Sequence, residues 1–237
     1  NQELIPDLST RIEIMEKIYN FDLENSKLIN FNKILANGKS FFTIICQDYE
    51  EIGNVSDFLI DHGVDPNVCD EDGIYPLLTA IGLNSYNFVH SLIHSGKVVY
   101  SQLGNRTTYL HVAAAFADDK VLRMLLEENV FDINATDING ETPLMLACRS
   151  KNVAKITLLF DIDNIDYLHC NNDGMDALDI IKELPQNEAK EARNSKENYK
   201  QKIISIVTEQ LHYSYGQKPN DTNLLNNNIS FIFGDQD

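Results

Sequence analysis

Five short stretches of this chain are variants of one another. "NGKSFFTIIC" begins at Asn37, "DGIYPLLTAI" at Asp72, "NRTTYLHVAA" at Asn105, "NGETPLMLAC" at Asn139 and "DGMDALDIIK" at Asp173. Their second residues, Gly38, Gly73, Arg106, Gly140 and Gly174, are separated by steps of 35, 33, 34 and 34. A constant period of this size restricts a chain to stacked supersecondary units. One unit cannot bury its apolar face alone, so each shelters its neighbour's, and stability is close to a sum of nearest-neighbour interfaces.

Within each copy the pattern predicts two short helices. Thr142 before Pro143 is a helix entry: the hydroxyl accepts from an orphan N–H of the first turn, and Pro at the first helical position gives up an N–H that had no partner. Ser40 and Asp176 are placed to cap their copies in the same way, whereas Tyr75 before Pro76 has no capping oxygen within reach. A second apolar run follows, as in "VSDFLIDHGVDPN" and "VLRMLLEENVFDIN". Small residues recur in the first helix (Ala80, Ala113, Ala114, Ala147) and bulkier ones in the second (Phe58, Leu59, Val89, Leu92, Leu125, Leu158). Short side chains let the inner helices approach closely while larger ones fill the space behind, so the stack is expected to curve. Arg106 stands where the other copies have Gly, which disfavours a positive-φ turn there and predicts a shift of that turn by two residues, to Gly104.

These copies resemble the ankyrin repeat. The T-P-L-H-x-A motif of that family is best kept in "TPLMLA" and "TYLHVAA", and its hairpin tail in "GVDPNVCD" and "FDINATD". The resemblance covers about three quarters of the chain and implies an all-α solenoid of helix-turn-helix units joined by hairpin-like loops. The expected organisation is a helical cap over 1–36, repeats at 37–70, 71–103, 104–137, 138–171 and 172–211 (the last with an insertion), and a polar tail over 212–237. Ile12, Met15, Ile18 and Tyr19, then Leu28, Phe31, Ile34 and Leu35, are expected to form the two cap helices. The charged run "QNEAKEARNSKENYK" reads as an insertion before the last helix or an extension of it. That helix turns Ile203, Ile204, Ile206, Val207 and Leu211 inward, and the tail carries an apolar cluster at Phe231, Ile232 and Phe233.

The residues offer little catalytic chemistry. His90 and His94 sit four apart on a helix, the spacing of a shared zinc ion, but Ser91 stands where a zinc protease has its general-base Glu, and the register turns both outward. We expect no metal and no cofactor. His111 occupies the motif position that, in the family, ties neighbouring loops by hydrogen bonds. Cys148 falls on the buried face of an inner helix. Asp70, Glu71 and Asp72 crowd one hairpin tip without the spacing of a calcium loop, and solvation is their expected fate.

Function is therefore expected on a surface. With 19 Lys and Arg against 36 Asp and Glu, the net charge of −17 disfavours nucleic acid, whose affinity rests on cationic contacts, and favours a partner protein with a basic patch. No apolar run is long enough to span a membrane. The four cysteines form no C-x-x-C pair and suit a reducing cytoplasm. The resemblance implies binding through a concave face. By register, the exposed positions on the tips are Cys69, Glu71, Asp72, Ile74, Asn105, Thr107, Thr136, Ile138, Asn139, Glu141, His169 and Asn171, with Leu83, Phe116 and Arg149 at the ends of the inner helices. Leu83 and Phe116 hold equivalent places in adjacent copies and, with Ile74 and Ile138, make an expected apolar centre rimmed by acids. Two roles fit: a protein-interaction module, of the divergent kind that resembles arrays used by intracellular bacteria or viruses to engage host proteins, or the targeting or autoinhibitory portion of a larger enzyme.

Overall fold

The computed structural model describes residues 13, 17, 31–48, 53–100, 103–182 and 192–214. Their α-helices include α1 (Phe41–Asp48), α2 (Gly53–Asp61), α3 (Pro76–Gly82), α4 (Tyr86–His94), α5 (Tyr109–Phe116), α6 (Asp119–Glu127), α7 (Pro143–Arg149), α8 (Val153–Phe160), α9 (Ala177–Ile181) and α10 (Lys196–Ser214), with a 3-10 turn at Gly104–Arg106. No strand occurs among the described residues. The chain divides into two compact units, one of residues 1–80 and 85–99, the other of residues 81–84 and 100–237.

The motif position fixes the interior. Phe42, Leu77, Leu110, Leu144 and Leu178 are equivalent by register, and all are almost wholly buried. Three residues on, Ala80, Ala113 and Ala147 are fully buried, while the outermost copies carry Ile45 and Ile181. The entries follow the sequence reading. Thr142 accepts from Met145 N–H with Pro143 in the first turn, Asp176 accepts from Leu178 and Asp179 N–H, and Ser40 Oγ accepts from Thr43 N–H at 3.2 Å.

In the first unit α2 packs along α4, and Phe42 meets Phe88 edge-on with ring centroids 6.0 Å apart. In the second, α5 packs on α7 and α7 on α9, with α6 and α8 forming the row behind. Helix α10 closes that row against α8 and α9. Its approach is fixed by charge: Arg193 reaches Asp176 (2.6 Å) and Asp179 (2.7 Å), Lys200 reaches Asp161 (2.6 Å), and Lys196 Nζ donates to the Ile162 carbonyl (2.7 Å). The charged run thus extends the last helix from residue 196 onward, and Tyr199 within it is wholly buried. Ile203, Ile206 and Val207 face inward as expected, Ile204 is only half-buried, the Leu211 side chain lies outside the described ones, and the helix continues to Ser214.

The expected N-terminal cap lies mostly outside the described residues, as does the tail cluster at Phe231, Ile232 and Phe233. Of the second cap helix, Phe31, Ile34 and Leu35 are described, and they lie in turns and loop rather than in a helix. The reason is visible in the backbone. Leu35 N–H donates to Lys39 O and Gly38 N–H to Leu35 O, a closed hairpin turn equivalent to those of later copies.

An asparagine ladder joins the loops at the far side of each copy. Asn32 Nδ2 donates to Gly63 O and its Oδ1 accepts from Asp65 N–H. Asn67 does the same to Lys97 O and Val99 N–H, and Asn134 to Asn164 O and Asp166 N–H. Each amide satisfies two backbone groups of the next copy's loop, which would otherwise need other partners. Two copies depart from the pattern. Tyr100 holds the position in the third hairpin and instead packs edge-on against Phe131 at 5.0 Å, and Leu168 holds it in the last. Asn134→Leu is expected to lower stability by about 0.5–1.5 kcal/mol, since it removes the amide's bonds to the Asn164 carbonyl and Asp166 N–H, both on exposed residues that water can reach. Amide hydrogen exchange should quicken at Asp166 first; unchanged protection there would show the loop held by other means.

Candidate partner-binding surface

The hairpin tips are organised by a hinge carboxylate or amide, a role that the sequence reading assigned to none of the residues that fill it. Asp70 Oδ1 accepts from Asp72 and Ile74 N–H (3.1 and 2.8 Å), Asp137 Oδ1 from Asn139 and Glu141 N–H (2.9 and 2.8 Å), and Asn171 Oδ1 from Asp173 and Met175 N–H (both 3.0 Å). In each copy the hinge residue's own N–H donates to the carbonyl four residues on, and the Gly at +3 donates to the hinge carbonyl. These are Asx turns closed by a positive-φ residue. The signal was present as "DEDG", "DING" and "NNDG", a repeated acid or amide three residues before Gly. Asp70 is therefore buried rather than solvated, and Lys39 Nζ lies 3.0 Å from it and 2.9 Å from Asp72. Burial alone would lower the Lys39 pKa, but hydrogen bonds to Asp72 and Asp70 hold it above the ordinary lysine value.

The third hairpin lacks both devices, with Leu103 at the hinge and Arg106 in place of Gly. It still turns. The expected two-residue shift to Gly104 does not occur: Asn105 and Arg106 adopt φ of 56° and 59°, Gly104 keeps a negative φ, and the closing bond runs from Thr107 N–H to Gly104 O, one residue later than its equivalents. A left-handed backbone at a bulky residue is uncommon and strained.

Neighbouring tips bond to one another. In the first unit Glu71 N–H donates to Gly38 O at 2.8 Å. In the second, Ile138 N–H donates to Asn105 O (2.8 Å) and Asn172 N–H to Asn139 O (3.0 Å), while Asn172 Nδ2 donates to Ile138 O (2.9 Å). Gly140 is fitted to this row: a Cβ there would lie 2.9 Å from the Asn172 backbone nitrogen, in addition to the strain of its φ of +74°.

The fifteen expected contact residues divide by burial. Glu71, Asp72, Ile138, Asn139 and Arg149 are exposed, and Cys69, Leu83, Asn105, Phe116, Thr136 and His169 are half-buried. Ile74, Thr107, Glu141 and Asn171 are buried, contrary to their expected exposure. The cause is positional. Ile74, Thr107 and Glu141 each precede the residue that opens the inner helix, and pairing of their carbonyls with the hinge N–H rotates the side chain into the stack. Asn171 is itself a hinge and folds over its own turn. Since Ile74 is withdrawn, it takes no part in an exposed apolar centre; Leu83 and Phe116 remain half-buried in the second unit, and Ile138 is 56% exposed.

Glu141 is held by charge as well as position. Arg149 Nε lies 3.0 and 3.1 Å from its two carboxylate oxygens, and Asn171 Nδ2 is 3.4 Å from Oε1. That hydrogen bonding raises the Arg149 pKa further above the usual guanidinium value. His111 is the second tie, as its motif position implied. Its Nδ1 accepts from Thr108 N–H (3.2 Å), so Nε2–H donates to the Glu141 carbonyl (3.0 Å), linking a helix cap to the next hairpin. Burial depresses its pKa, which keeps the imidazole neutral and the tautomer fixed. His169 Nε2 lies 3.1 Å from Gly140 O, a third link between tips.

Burial also disposes of the inner thiols. It pushes Cys46 up to about 12 and Cys148 higher still, so both behave as small hydrophobes. Among the described residues no three His, Cys, Asp or Glu side chains gather closely enough to hold a metal ion by themselves, and no helix is long and apolar enough to cross a membrane.

Comparison with known proteins agrees with this geometry. The family model for ankyrin repeats (many copies) matches residues 110–160. A putative ankyrin repeat protein, R96, of Acanthamoeba polyphaga mimivirus is 30% identical over 114 residues, 48% of this chain and 11% of that protein. Transient receptor potential cation channel subfamily A member 1 of Homo sapiens is 29% identical over 90 residues, 38% of this chain and 8% of its own length. The BTB/POZ domain and ankyrin repeat-containing protein NPR3 of Oryza sativa subsp. japonica is 32% identical over 87 residues, 37% of this chain and 15% of its own length. The chain thus spans a small part of each of these relatives. The crystal structure of the ankyrin repeat domain of Bcl-3, a member of the IkappaB family, superposes with a TM-score of 0.64 at 17% identity, over 85% of this chain and 82% of that one. Period, capped inner helices, Asx-hinged tips and superposed fold lead to one assignment: the chain is an ankyrin-repeat protein.

Proposed function

We propose that the chain is a protein-interaction module that grips a basic partner with its hairpin tips and the adjoining ends of its inner helices. The observation that carries this reading is Ile138. It is a large apolar side chain, 56% exposed, on a backbone whose N–H and C=O are both bonded to neighbouring tips. An apolar residue held in place before binding loses little freedom when it inserts into a partner, which is how a few anchors dominate an interface. Asn139, Asn172 and Asp173 lie exposed beside it in sequence and across the tip bonds, a polar rim about an apolar point. The net charge of −17 supports a cationic partner steered in by long-range attraction.

The test places a photo-crosslinking residue at Asn139 or, on the outer helix α6, at Arg123, in extract from the source cells. A basic protein captured from Asn139 but not Arg123, and lost on Ile138→Asp with the melting temperature unchanged, supports the reading. Equal capture from both positions refutes it. Association should also slow as salt is raised. A targeting segment within a longer protein is a second reading, favoured by the small share of each relative that this chain spans. Engagement of a host protein is one form the binding would take, in keeping with the mimivirus relative.

A further inference from the structure

On the outer face of α4, away from the hairpin tips, Tyr86, His90 and His94 form a column of exposed rings at four-residue spacing. The two imidazoles are stacked, with centroids 3.9 Å apart and planes 12° from parallel, and the Tyr86 ring follows at 6.3 Å from His90. His94 Nδ1 lies 2.9 Å from the His90 carbonyl. A carbonyl only accepts, so Nδ1 carries the proton and the Nε2 lone pair of His94 is left free. That is the arrangement in which metal-ligating histidines are held, with the non-ligating nitrogen donating to a backbone oxygen.

We propose that His90 and His94 chelate one borderline divalent cation, Zn2+, Ni2+ or Cu2+, through their Nε2 atoms, with water filling the remaining positions. Imidazole nitrogens select these ions over magnesium and calcium, which prefer oxygen. Parallel rings do not yet converge on a point, but the motion required is small. His94 is pinned by its carbonyl bond, and the His90 ring turns about its second side-chain torsion, which is broad and nearly two-fold for histidine. The Ser at position 91, where a zinc protease has Glu, argues against a hydrolytic centre and has no bearing on a surface chelate. That hydroxyl is turned to the first unit's interior, where it donates to Asp57 and accepts from Ser56. His62, one residue past α2, is the nearest rival: it too is exposed, with Nδ1 2.7 Å from the Phe58 carbonyl, but no second imidazole stands four residues away from it.

The test is titration of the full chain with ZnCl2 by calorimetry and with CuSO4 by electron paramagnetic resonance. One saturable Zn2+ site and a copper signal with hyperfine splitting from two nitrogens are expected, both lost in His90→Ala and in His94→Ala and both kept in His62→Ala. The three positions are exposed, so circular dichroism of each variant should match the parent. No saturable binding, binding that survives loss of either His90 or His94, or binding that fails in His62→Ala would each overturn the proposal.

Discussion

Leu110→Ala should lower the unfolding free energy by about 2–5 kcal/mol, the range for truncating a leucine in a close-packed interior. Leu110 is fully buried at the motif position of α5, where that helix meets α7 in front and α6 behind. Collapse around the missing methyl groups is hindered by its neighbours, because Ala113, Ala114 and Ala147 already bring the backbones close. In a repeat array the lost energy falls on the repeat that carries the change and on its packing against α7 rather than on a common core. Denaturant unfolding should therefore not only shift to a lower midpoint but broaden, as the repeats of the second unit cease to unfold as one. A loss below about 1 kcal/mol with an unchanged slope would mean that the inner helices close over the cavity, and that the alanines are not what sets their separation.

The residues that sequence reading placed correctly are those whose direction follows from helical period. Ala80, Ala113 and Ala147 recur in register on the inner helices, Leu59, Leu92 and Leu125 recur on the helices behind, and all are buried for that reason, while the caps at Ser40, Thr142 and Asp176 need only a short polar side chain before an apolar run. The tips were less legible because no period governs side-chain direction in a loop. Glu141 reads as a solvent-facing acid, yet the hinge bond to Asp137 turns it inward, where Arg149, eight residues on, meets it. Asp70 and Asp137 carry the same ambiguity: a carboxylate beside Gly is a surface charge unless its own backbone folds back onto it. Arg106 shows the converse. Its local preference opposes a left-handed turn, and the bond from Ile138 N–H to Asn105 O holds the turn there regardless. The ladder asparagines were written at period 35 and 67 (Asn32, Asn67, Asn134) but interrupted by Tyr100, and a broken period in an Asn-rich chain is hard to separate from composition.

Lys155→Met should raise stability at pH 7 by about 3 kcal/mol, a gain uncommon for one substitution. Lys155 stands in the first turn of α8 with only 2% of its surface exposed. Burial pulls its pKa down from 10.5 to about 8, against the raising influence of Asp118 and Asp119 at the start of α6. Below pH 8 the lysine is charged in both folded and unfolded chains, so the folded state bears the whole desolvation cost. Between about 8 and 10.5 the folded lysine is neutral while the unfolded one still binds a proton, and stability rises with pH across that window. The advantage of Met should accordingly be full at pH 7 and nearly gone at pH 10.5, when each variant is compared with the parent at the same pH. A fall in stability at pH 7 would show that Asp118 and Asp119 compensate the ammonium in full, and that Lys155 is a net link between the third and fourth repeats instead of a buried charge the stack tolerates.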